Sequence, residues 1–188
     1  IPKGVRTYML PNEYIRSDLF RYYGKSDTGT MMKALWKNRT FRFQYIFRLC
    51  QATGLRKRFG GILWRLNRTK YVIQLPLDTT VGYGLYIGHG GPIVVSPTAI
   101  IGNNVNLSQF TTIGSNEGKA AVIGDNVYIG PNVCVVENVV IGDNVTIGAG
   151  SVVTKSIPKN ATVVGNYAKV INYNNPGRYV NNRWILSE

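Results

Sequence analysis

The stretch IGDNVYIGPNVCVVENVVIGDNVTIGAG, residues 123–150, repeats a unit of six residues. Each unit begins with Ile or Val, and Gly follows in most of them. The same period extends to both sides and gives thirteen hexads in all. Their first residues are Leu75, Val81, Ile87, Ile93, Ile101, Leu107, Ile113, Ile123, Ile129, Val135, Ile141, Ile147 and Val153.

A period of six does not suit a helix, whose apolar residues recur at three and four, or an ordinary strand, whose residues alternate. Turn-forming pairs such as Gly-Asn and Asp-Asn interrupt every short apolar segment. The pattern therefore predicts a solenoid in which each hexad is one short strand and one corner, with its first residue pointing inwards. Gly and Asn suit the corners because both tolerate a positive φ.

The hexad register breaks twice. Two extra residues fall before Ile101, in SPTAIIG, and four more precede Ile123, in GSNEGKAAVIG. Insertions in a solenoid are extruded as loops, often on its functional side, although harmless surface loops are the alternative. The second insertion is longer and carries Glu117 and Lys119, which favours a functional role for it.

The excess positive charge lies before the repeats. Residues 1–74 contain 16 basic and 3 acidic residues, whereas residues 75–188 contain 6 of each. The net charge of +13 therefore belongs to the first segment. Such a charge suits nucleic acid or an anionic membrane surface, and since no base-reading motif is visible, we expect membrane contact and no nucleic acid.

Two amphipathic helices are predicted in that segment, and both are interpreted as a cap on the first coil. One helix carries a stripe of Phe59, Ile62, Leu63 and Leu66 with basic residues around it. The other runs from about Met31 to Cys50 and turns its large side chains inwards, namely Trp36, Phe43, Phe47 and Cys50. The expected organisation is a basic helical region at 1–74, a β-helix at 75–171 and a tail at 172–188.

Composition narrows the class of protein. The chain has 188 residues, 44% of them apolar, which suits one packed domain and excludes a disordered chain. Cys50 and Cys134 form no CxxC pair, and this favours a reduced, cytoplasmic protein. The sequence has no run of 18 apolar residues and no start typical of a signal peptide, so we expect neither a membrane span nor secretion.

The hexads, the stretch GHGGPIVVSPTAIIGNNVNLSQFTTIG and the ending IGAGSVVTKSIP with GNYAKVI resemble the left-handed β-helix acyltransferases. Within them the chain is similar to the serine acetyltransferase group over about residues 28–171. The opening YIRSDLFRYYG resembles members found in capsule and exopolysaccharide gene clusters. The resemblance implies a left-handed parallel β-helix with an α-helical cap, forming a homotrimer that binds acetyl-CoA between neighbouring prisms and needs no metal.

His89 is the candidate catalytic residue. It is the chain's one histidine and occupies the third position of a hexad, between Gly88 and Gly90. Acyl transfer to a hydroxyl needs a base that takes the hydroxyl proton, and the pKa of histidine suits that task. The small neighbours predict an exposed corner, and the resemblance assigns His89 as the general base.

The cofactor site is predicted along one corner of the prism. With three hexads per coil, His89 stacks on Gln109, Pro131 and Ala149, a column that leaves a shallow alley for the pantetheine arm. The resemblance implies contacts of acetyl-CoA with Gly130 and Ala149 beside the arm and with Gly165 and Lys169 in the closing segment. Lys155 and Lys159 flank the last hexad at the end of the prism, where exposed cations would suit the phosphates of CoA. Solvated surface lysines are the alternative for Lys155 and Lys159.

The acceptor site departs from the serine acetyltransferases. The aspartate that precedes their histidine is Gly88 here, the one fifteen positions earlier is Gln74, and the inserted loop has neither Arg nor His. An amino acid would leave its charges unpaired, so a sugar hydroxyl is the favoured acceptor. Asp78, Glu117 or a backbone carbonyl would then orient His89.

The predicted function is therefore acetyl-CoA-dependent O-acetylation of a sugar or glycan. A serine O-acetyltransferase and a non-catalytic β-helix scaffold are the alternatives. A zinc enzyme is disfavoured because one histidine per chain cannot supply three zinc ligands from an exposed corner. The expected location is the cytoplasm, with the basic helices resting on the inner face of the membrane.

Overall fold

The computed structural model describes residues 10–67 and 70–186. Four helices come first and fifteen short strands follow. The helices are α1 Pro11–Tyr23, α2 Thr28–Lys37, α3 Arg39–Gln51 and α4 Gly54–Asn67. The strands are β1 Ile73–Gln74, β2 Thr80–Val81, β3 Tyr86–Ile87, β4 Ile93–Val95, β5 Ile100–Ile101, β6 Asn106–Leu107, β7 Thr112–Gly114, β8 Val122–Ile123, β9 Tyr128–Ile129, β10 Cys134–Val136, β11 Val140–Ile141, β12 Thr146–Ile147, β13 Val152–Val153, β14 Thr162–Val164 and β15 Lys169–Asn172.

Every third strand pairs in parallel and forms one face of a prism. The first face has the order β1-β4-β7-β10-β13, the second β2-β5-β8-β11, and the third β3-β6-β9-β12-β14. Strand β15 turns back and pairs antiparallel with β14. The chain is thus a three-sided parallel β-helix of about five coils behind a helical cap, as the sequence predicts.

The predicted first residues of all thirteen hexads are buried, which confirms that they point inwards, although Ile93 is not the residue that continues the column. Ile157 and Val163 continue the column beyond the predicted hexads, since they lie beside Ile141 and Ile147 respectively. At one corner, Asn144 links the amides of its neighbours, accepting from Asn126 at 3.1 Å and donating to Asn160 at 3.0 Å. These asparagines have positive φ angles, which explains why Asn recurs there.

The position predicted for the first register break is wrong. Val95, rather than Ile93, pairs with Ile113, so the two extra residues lie between Ile87 and Val95. They belong to the corner that carries His89 and not to SPTAIIG. The second break is confirmed as a loop at residues 115–121, between β7 and β8.

The predicted helix from Met31 to Cys50 is two helices. Asn38 has an extended backbone between them, and its side chain accepts a hydrogen bond from the Phe41 amide, which starts α3. Phe43 and Phe47 are buried as predicted. The prediction is wrong for Trp36, which is 82% exposed, because the break at Asn38 separates α2 from the inward face of α3.

The stripe predicted for α4 points outwards in large part. Phe59, Ile62 and Leu66 are exposed, and of the predicted stripe only Leu63 is partly buried in the helical core. Gly60 is the buried residue of α4, because a Cβ there would lie 2.8 Å from the backbone of Leu49 and Cys50. The helix therefore packs on α3 through its glycine side.

A buried ion pair joins the cap to the first coil. The Arg48 guanidinium donates to both carboxylate oxygens of Asp18, at 2.8 and 3.1 Å, and to the carbonyls of Val81 and Gly82. Asp18 also accepts from the Leu85 amide at 2.8 Å. These bonds satisfy polar groups of the coil that the helices would otherwise leave without partners.

The C-terminal segment runs back along the prism to the cap. Asn106 donates to the Tyr179 carbonyl at 3.0 Å, and Asn104 and Trp184 exchange two hydrogen bonds. The ring of Trp184 meets Phe20 edge-on at 5.4 Å, which brings the tail onto α1. The C-terminal segment therefore packs along the prism and against α1.

Candidate active site

His89 lies on the corner between the third face and the first face of the next coil. Its backbone is left-handed, with φ of 57°, and its side chain is exposed. The Gly90 amide donates to the Gly88 carbonyl at 2.7 Å, closing a tight turn around His89. Among the described residues the imidazole has no hydrogen-bond partner. The corner thus presents the imidazole to solvent, where a substrate can reach it.

The glycines after His89 are required by close packing on both sides. A Cβ on Gly90 would lie 2.6 Å from the Thr40 hydroxyl on α3, and one on Gly91 would lie 2.7 Å from Cβ of Gln109. On the preceding strand, the Tyr22 hydroxyl donates to the Ile87 carbonyl at 2.9 Å and accepts from its amide at 3.2 Å. The helical cap therefore holds the His89 corner in place.

The predicted column of corner residues is confirmed by strand pairing. Ile87 pairs with Leu107, Leu107 with Ile129, and Ile129 with Ile147. The third positions that follow these residues therefore stack on one corner, and they are His89, Gln109, Pro131 and Ala149. Gly165 extends the column, since Val163 pairs with Ile147 and Gly165 is the third position of the hexad that Val163 begins.

Phe110 is the residue of this corner that the sequence reasoning missed. The equivalent positions on the next two coils hold Asn132 and Gly150, and all three have positive φ. Phe110 has a φ of 61° and is 52% exposed, although a bulky residue rarely adopts that backbone. The signal in the sequence is a Phe at a corner position where other coils have Gly or Asn.

The corner has the properties that a pantetheine arm requires. Gln109 holds its Oε1 buried without a hydrogen-bond partner among the described residues, so this corner contains an acceptor that the protein leaves unsatisfied. Gly130 is buried, and a Cβ there would lie 2.8 Å from the Ile147 carbonyl, so its contribution is limited to backbone atoms. The column is partly exposed and free of charged side chains, which suits an uncharged chain.

The predicted cations divide into two groups. Lys169 pairs with Val164 beside Gly165, and so lies next to the end of the column. Lys155 follows β13 on the corner between the first and second faces, and Lys159 lies on the corner between the second and third faces. Both are exposed, and neither shares the corner of Ala149 within one chain.

The predicted carboxylates also lie away from His89. Asp78 borders a cavity of about 360 Å³ that Arg48 and Gln51 line as well, on the corner between the first and second faces. Glu117 lies in the inserted loop on the same corner, two coils further on. Gln74 lies on the outer side of β1, and Gly88 starts the His89 corner. Within one chain, therefore, neither Asp78 nor Glu117 orients the imidazole.

The inserted loop is anchored by a carboxylate of the next coil. Glu137 accepts from the Ser115 hydroxyl at 2.6 Å and from the amides of Asn116 and Glu117 at 3.0 and 3.3 Å. The Ser115 hydroxyl and the Asn116 amide hold the pKa of Glu137 below its usual value. Because that pKa is lowered by folding, the anchor is complete above the ordinary glutamate range and is lost as pH falls through the lowered pKa.

Replacing Glu137 with Gln should loosen this loop, because a neutral amide binds three donors less strongly than a carboxylate. We expect faster tryptic cleavage after Lys119 in Glu137→Gln than in the parent chain, with Glu117→Gln as the matched control. In the parent chain, the NMR signal of the Asn116 amide should titrate with a midpoint below 4.5, the ordinary value. Equal cleavage rates in both variants would contradict this role.

The chain is similar in sequence to a known group of enzymes. Residues 120–155 match the family model described as bacterial transferase hexapeptide, six repeats. Serine acetyltransferase of Staphylococcus epidermidis is 39% identical over 105 residues, which cover 54% of this chain and 49% of that protein. The chain spans from about a quarter to a half of the curated relatives it matches.

Solved structures of serine acetyltransferases are similar to this chain over a larger part of its length. Neisseria gonorrhoeae serine acetyltransferase in complex with serine is 29% identical, with a TM-score of 0.66, covering 85% of this chain and 68% of that one. The Brucella abortus serine acetyltransferase in complex with coenzyme A is 27% identical, with a TM-score of 0.64, covering 84% of this chain and 66% of that one. The chain has the left-handed β-helix fold, and over the shared part it is similar to serine acetyltransferases in sequence and in structure.

The likeness to these solved structures confirms the predicted fold, including a handedness that the resemblance alone implied. It does not assign a role to His89 or to the column residues, which remain predictions from their placement.

Proposed function

We propose that this chain is the β-helix part of an acetyl-CoA-dependent O-acetyltransferase in which His89 is the general base. The observation that carries the proposal is the exposed His89 at the head of a stacked column of small and uncharged residues. The relatives support it, since each is a serine acetyltransferase and one is a complex with coenzyme A.

The reaction follows from the placement of the imidazole. His89 accepts the proton of the acceptor hydroxyl as that oxygen attacks the thioester carbon of acetyl-CoA. The carbon–sulfur bond then breaks, and the imidazolium returns the proton to the departing thiolate. The products are the acetyl ester and free CoA, and the imidazole ends neutral. A corner open to solvent suits this role because acceptor and donor approach from outside the prism.

The donor would be held along the column below His89. Gln109 would turn its buried, unpartnered Oε1 outwards to accept from an amide of the pantetheine arm, and the exposed ring of Phe110 offers an apolar surface to the arm. Gly130, Pro131 and Ala149 leave room for the chain, and Lys169 lies where the column ends. Acetyl-CoA supplies an acyl group activated as a thioester.

The first candidate acceptor is L-serine. The curated relatives are serine acetyltransferases, and the Neisseria gonorrhoeae structure is a complex with serine. This similarity favours serine over the sugar that the sequence analysis preferred, and no relative described above supports polysaccharide synthesis.

A sugar hydroxyl is the second candidate acceptor, and the uncharged corner is the observation that favours it. His89, Gln109, Pro131 and Ala149 form the column without an acidic or basic neighbour on it. The ammonium and carboxylate of serine need charged partners, whereas a sugar needs hydrogen bonds alone.

A second protomer would supply acidic partners for the ammonium of serine. Asp78 and Glu117 share a corner that is separate from the His89 corner of the same chain. In a homotrimer packed through the second and third faces, that corner of one prism would meet the His89 corner of its neighbour. The outer side of the second face supports such packing, since it exposes Ile100 and Val140.

The experiment is a CoA-release assay on the full chain with acetyl-CoA and one acceptor at a time. We expect thiol release with L-serine and none with glycine, which lacks the hydroxyl. Release with a nucleotide sugar but not with L-serine would establish the second candidate. If no acceptor gives release and calorimetry detects no CoA binding, the chain is a non-catalytic scaffold and the proposal is wrong.

The variant Phe110→Gly tests the donor alley. We expect the KM for acetyl-CoA to rise about tenfold, because the arm loses an aromatic surface. Thermal stability should not fall, because Gly adopts a φ of 61° without strain. Asn132→Gly is the matched control, since it changes the equivalent corner position without removing a ring. An unchanged KM for acetyl-CoA in Phe110→Gly would contradict this assignment.

A further inference from the structure

The outer side of α4 carries a stripe of four large apolar side chains. Leu55, Phe59, Ile62 and Leu66 are 81%, 54%, 58% and 66% exposed. Their spacings of four, three and four residues place them on one side of the helix. Leu55 and Phe59 also border an open cavity of about 750 Å³ between the helices. We call these four residues the outer stripe of α4.

Packing fixes the outer stripe in this orientation. Gly60 touches the backbone of α3, Leu63 packs in the helical core, and Trp64 packs against the core of the prism. Any rolling of α4 that buried the outer stripe would expose Trp64 and force the helix away from α3. The exposure of the stripe is therefore a consequence of how the cap is built.

Positive charge surrounds the outer stripe. Arg56, Lys57, Arg58 and Arg65 are exposed on α4, and residues 54–67 contain no acidic residue. The three acidic residues of the first 74 lie on other helices: Glu13 caps α1, Asp18 is buried against Arg48, and Asp27 caps α2. Asp27 borders the same cavity as Leu55 and Phe59, but the four cations of α4 outnumber its single negative charge.

We propose that the outer stripe of α4 is a surface that binds anionic membranes. The helix lies flat on the bilayer, with its apolar side chains below the headgroups and its arginines among the lipid phosphates. The positive charge of α4 favours an anionic partner. A soluble polyanion would bind through charge alone, so the apolar stripe favours a membrane over a polyanion. In the described ranges, no helix has the length and apolar character needed to cross a bilayer, so the contact is peripheral. This inference does not rest on the proposed function.

The test is co-sedimentation of the full chain with vesicles of phosphatidylcholine alone or with 30% phosphatidylglycerol. We expect binding to the anionic vesicles, at least tenfold stronger than to the neutral ones at low salt, and a steep decrease as NaCl rises. Phe59→Ser with Ile62→Ser should weaken anionic binding at least tenfold. Phe59→Trp should retain binding and show a blue-shifted emission upon it.

Matched controls distinguish binding through the outer stripe of α4 from attraction by the overall positive charge of the chain. Arg58→Gln with Arg65→Gln should weaken binding about tenfold, whereas Lys119→Gln with Arg178→Gln, which removes two exposed cations elsewhere, should not. Equal losses in both pairs would overturn the proposal in favour of non-specific attraction. Absence of vesicle binding at low salt would overturn it too. So would a smaller oligomer in the Phe59→Ser, Ile62→Ser variant without any vesicle binding, because a second copy would then cover the stripe.

Discussion

Replacing His89 with Asn should lower kcat for acetyl transfer by about 10²- to 10⁴-fold, the usual contribution of a general base. Asn is the sharper replacement because it tolerates the left-handed backbone at this position, where φ is 57°. The side chain is exposed, so the thermal midpoint should stay within a few degrees. The KM for acetyl-CoA should change little, since the column below His89 is intact.

The measurement is thiol release under saturating acetyl-CoA, with the acceptor that supports turnover. Gln109→Ala is the comparison variant and should act through the KM for acetyl-CoA instead. Activity of His89→Asn near the parent level would remove His89 from the chemistry while leaving the fold and the α4 surface unaffected.

The repeat could be predicted from the sequence because each hexad contains its own evidence. An aliphatic residue followed by corner residues specifies one strand and one turn without reference to the rest of the chain. The stacking of Gln109, Pro131 and Ala149 below His89 then follows by counting. For this reason the fold and most of the column could be predicted from the sequence.

The position of the first register break could not be predicted from the sequence, because the two possible positions look alike in sequence. Ile93 and Val95 are both aliphatic and both buried, and Ile93 happens to lie six residues after Ile87. Strand pairing decides between them, and it depends on contacts with the next coil. The extra residues therefore belong to the His89 corner, where they give the imidazole its tight turn.

The orientation of α4 also depends on contacts that the sequence does not contain. Apolar periodicity predicts an amphipathic helix, and burial of the apolar side is the usual outcome. Here Gly60 makes the closest contact with α3, so the smallest residue decides which side faces inwards. Asp18 and Arg48 lie 30 positions apart, and nothing in their local sequence predicts that they form a buried pair.

Replacing Asp18 with Ala should lower the free energy of unfolding by about 3–5 kcal/mol, because Arg48 would remain buried without its carboxylate. Arg21, also buried, would lose a nearby negative charge as well. Burial lowers the pKa of Arg21 to about 10, so its guanidinium stays charged at neutral pH and still needs its acceptors, the Gly84 carbonyl and Asn106. The variant therefore leaves the buried guanidinium groups of Arg48 and Arg21 with less negative charge near them.

Urea denaturation at pH 7 measures this loss, and Asp27→Ala is the matched control. Asp27 is an exposed carboxylate that caps α2, so its removal should cost far less. Replacing the pair together, as Asp18→Leu with Arg48→Met, should cost less than Asp18→Ala, since no charge is then left buried. Equal losses for Asp18→Ala and Asp27→Ala would show that the pair does not hold the cap.

The same variant connects the cap with the proposed catalysis. Thr40 of α3 packs on Gly90, and the hydroxyl of Tyr22 binds Ile87, so a displaced cap would release the corner that holds His89. At a urea concentration at which the Asp18→Ala variant is still folded, its kcat should therefore be lower than that of the parent chain, although no residue of the column has changed. Full activity in a variant destabilised by 3–5 kcal/mol would mean that the prism alone fixes the His89 corner.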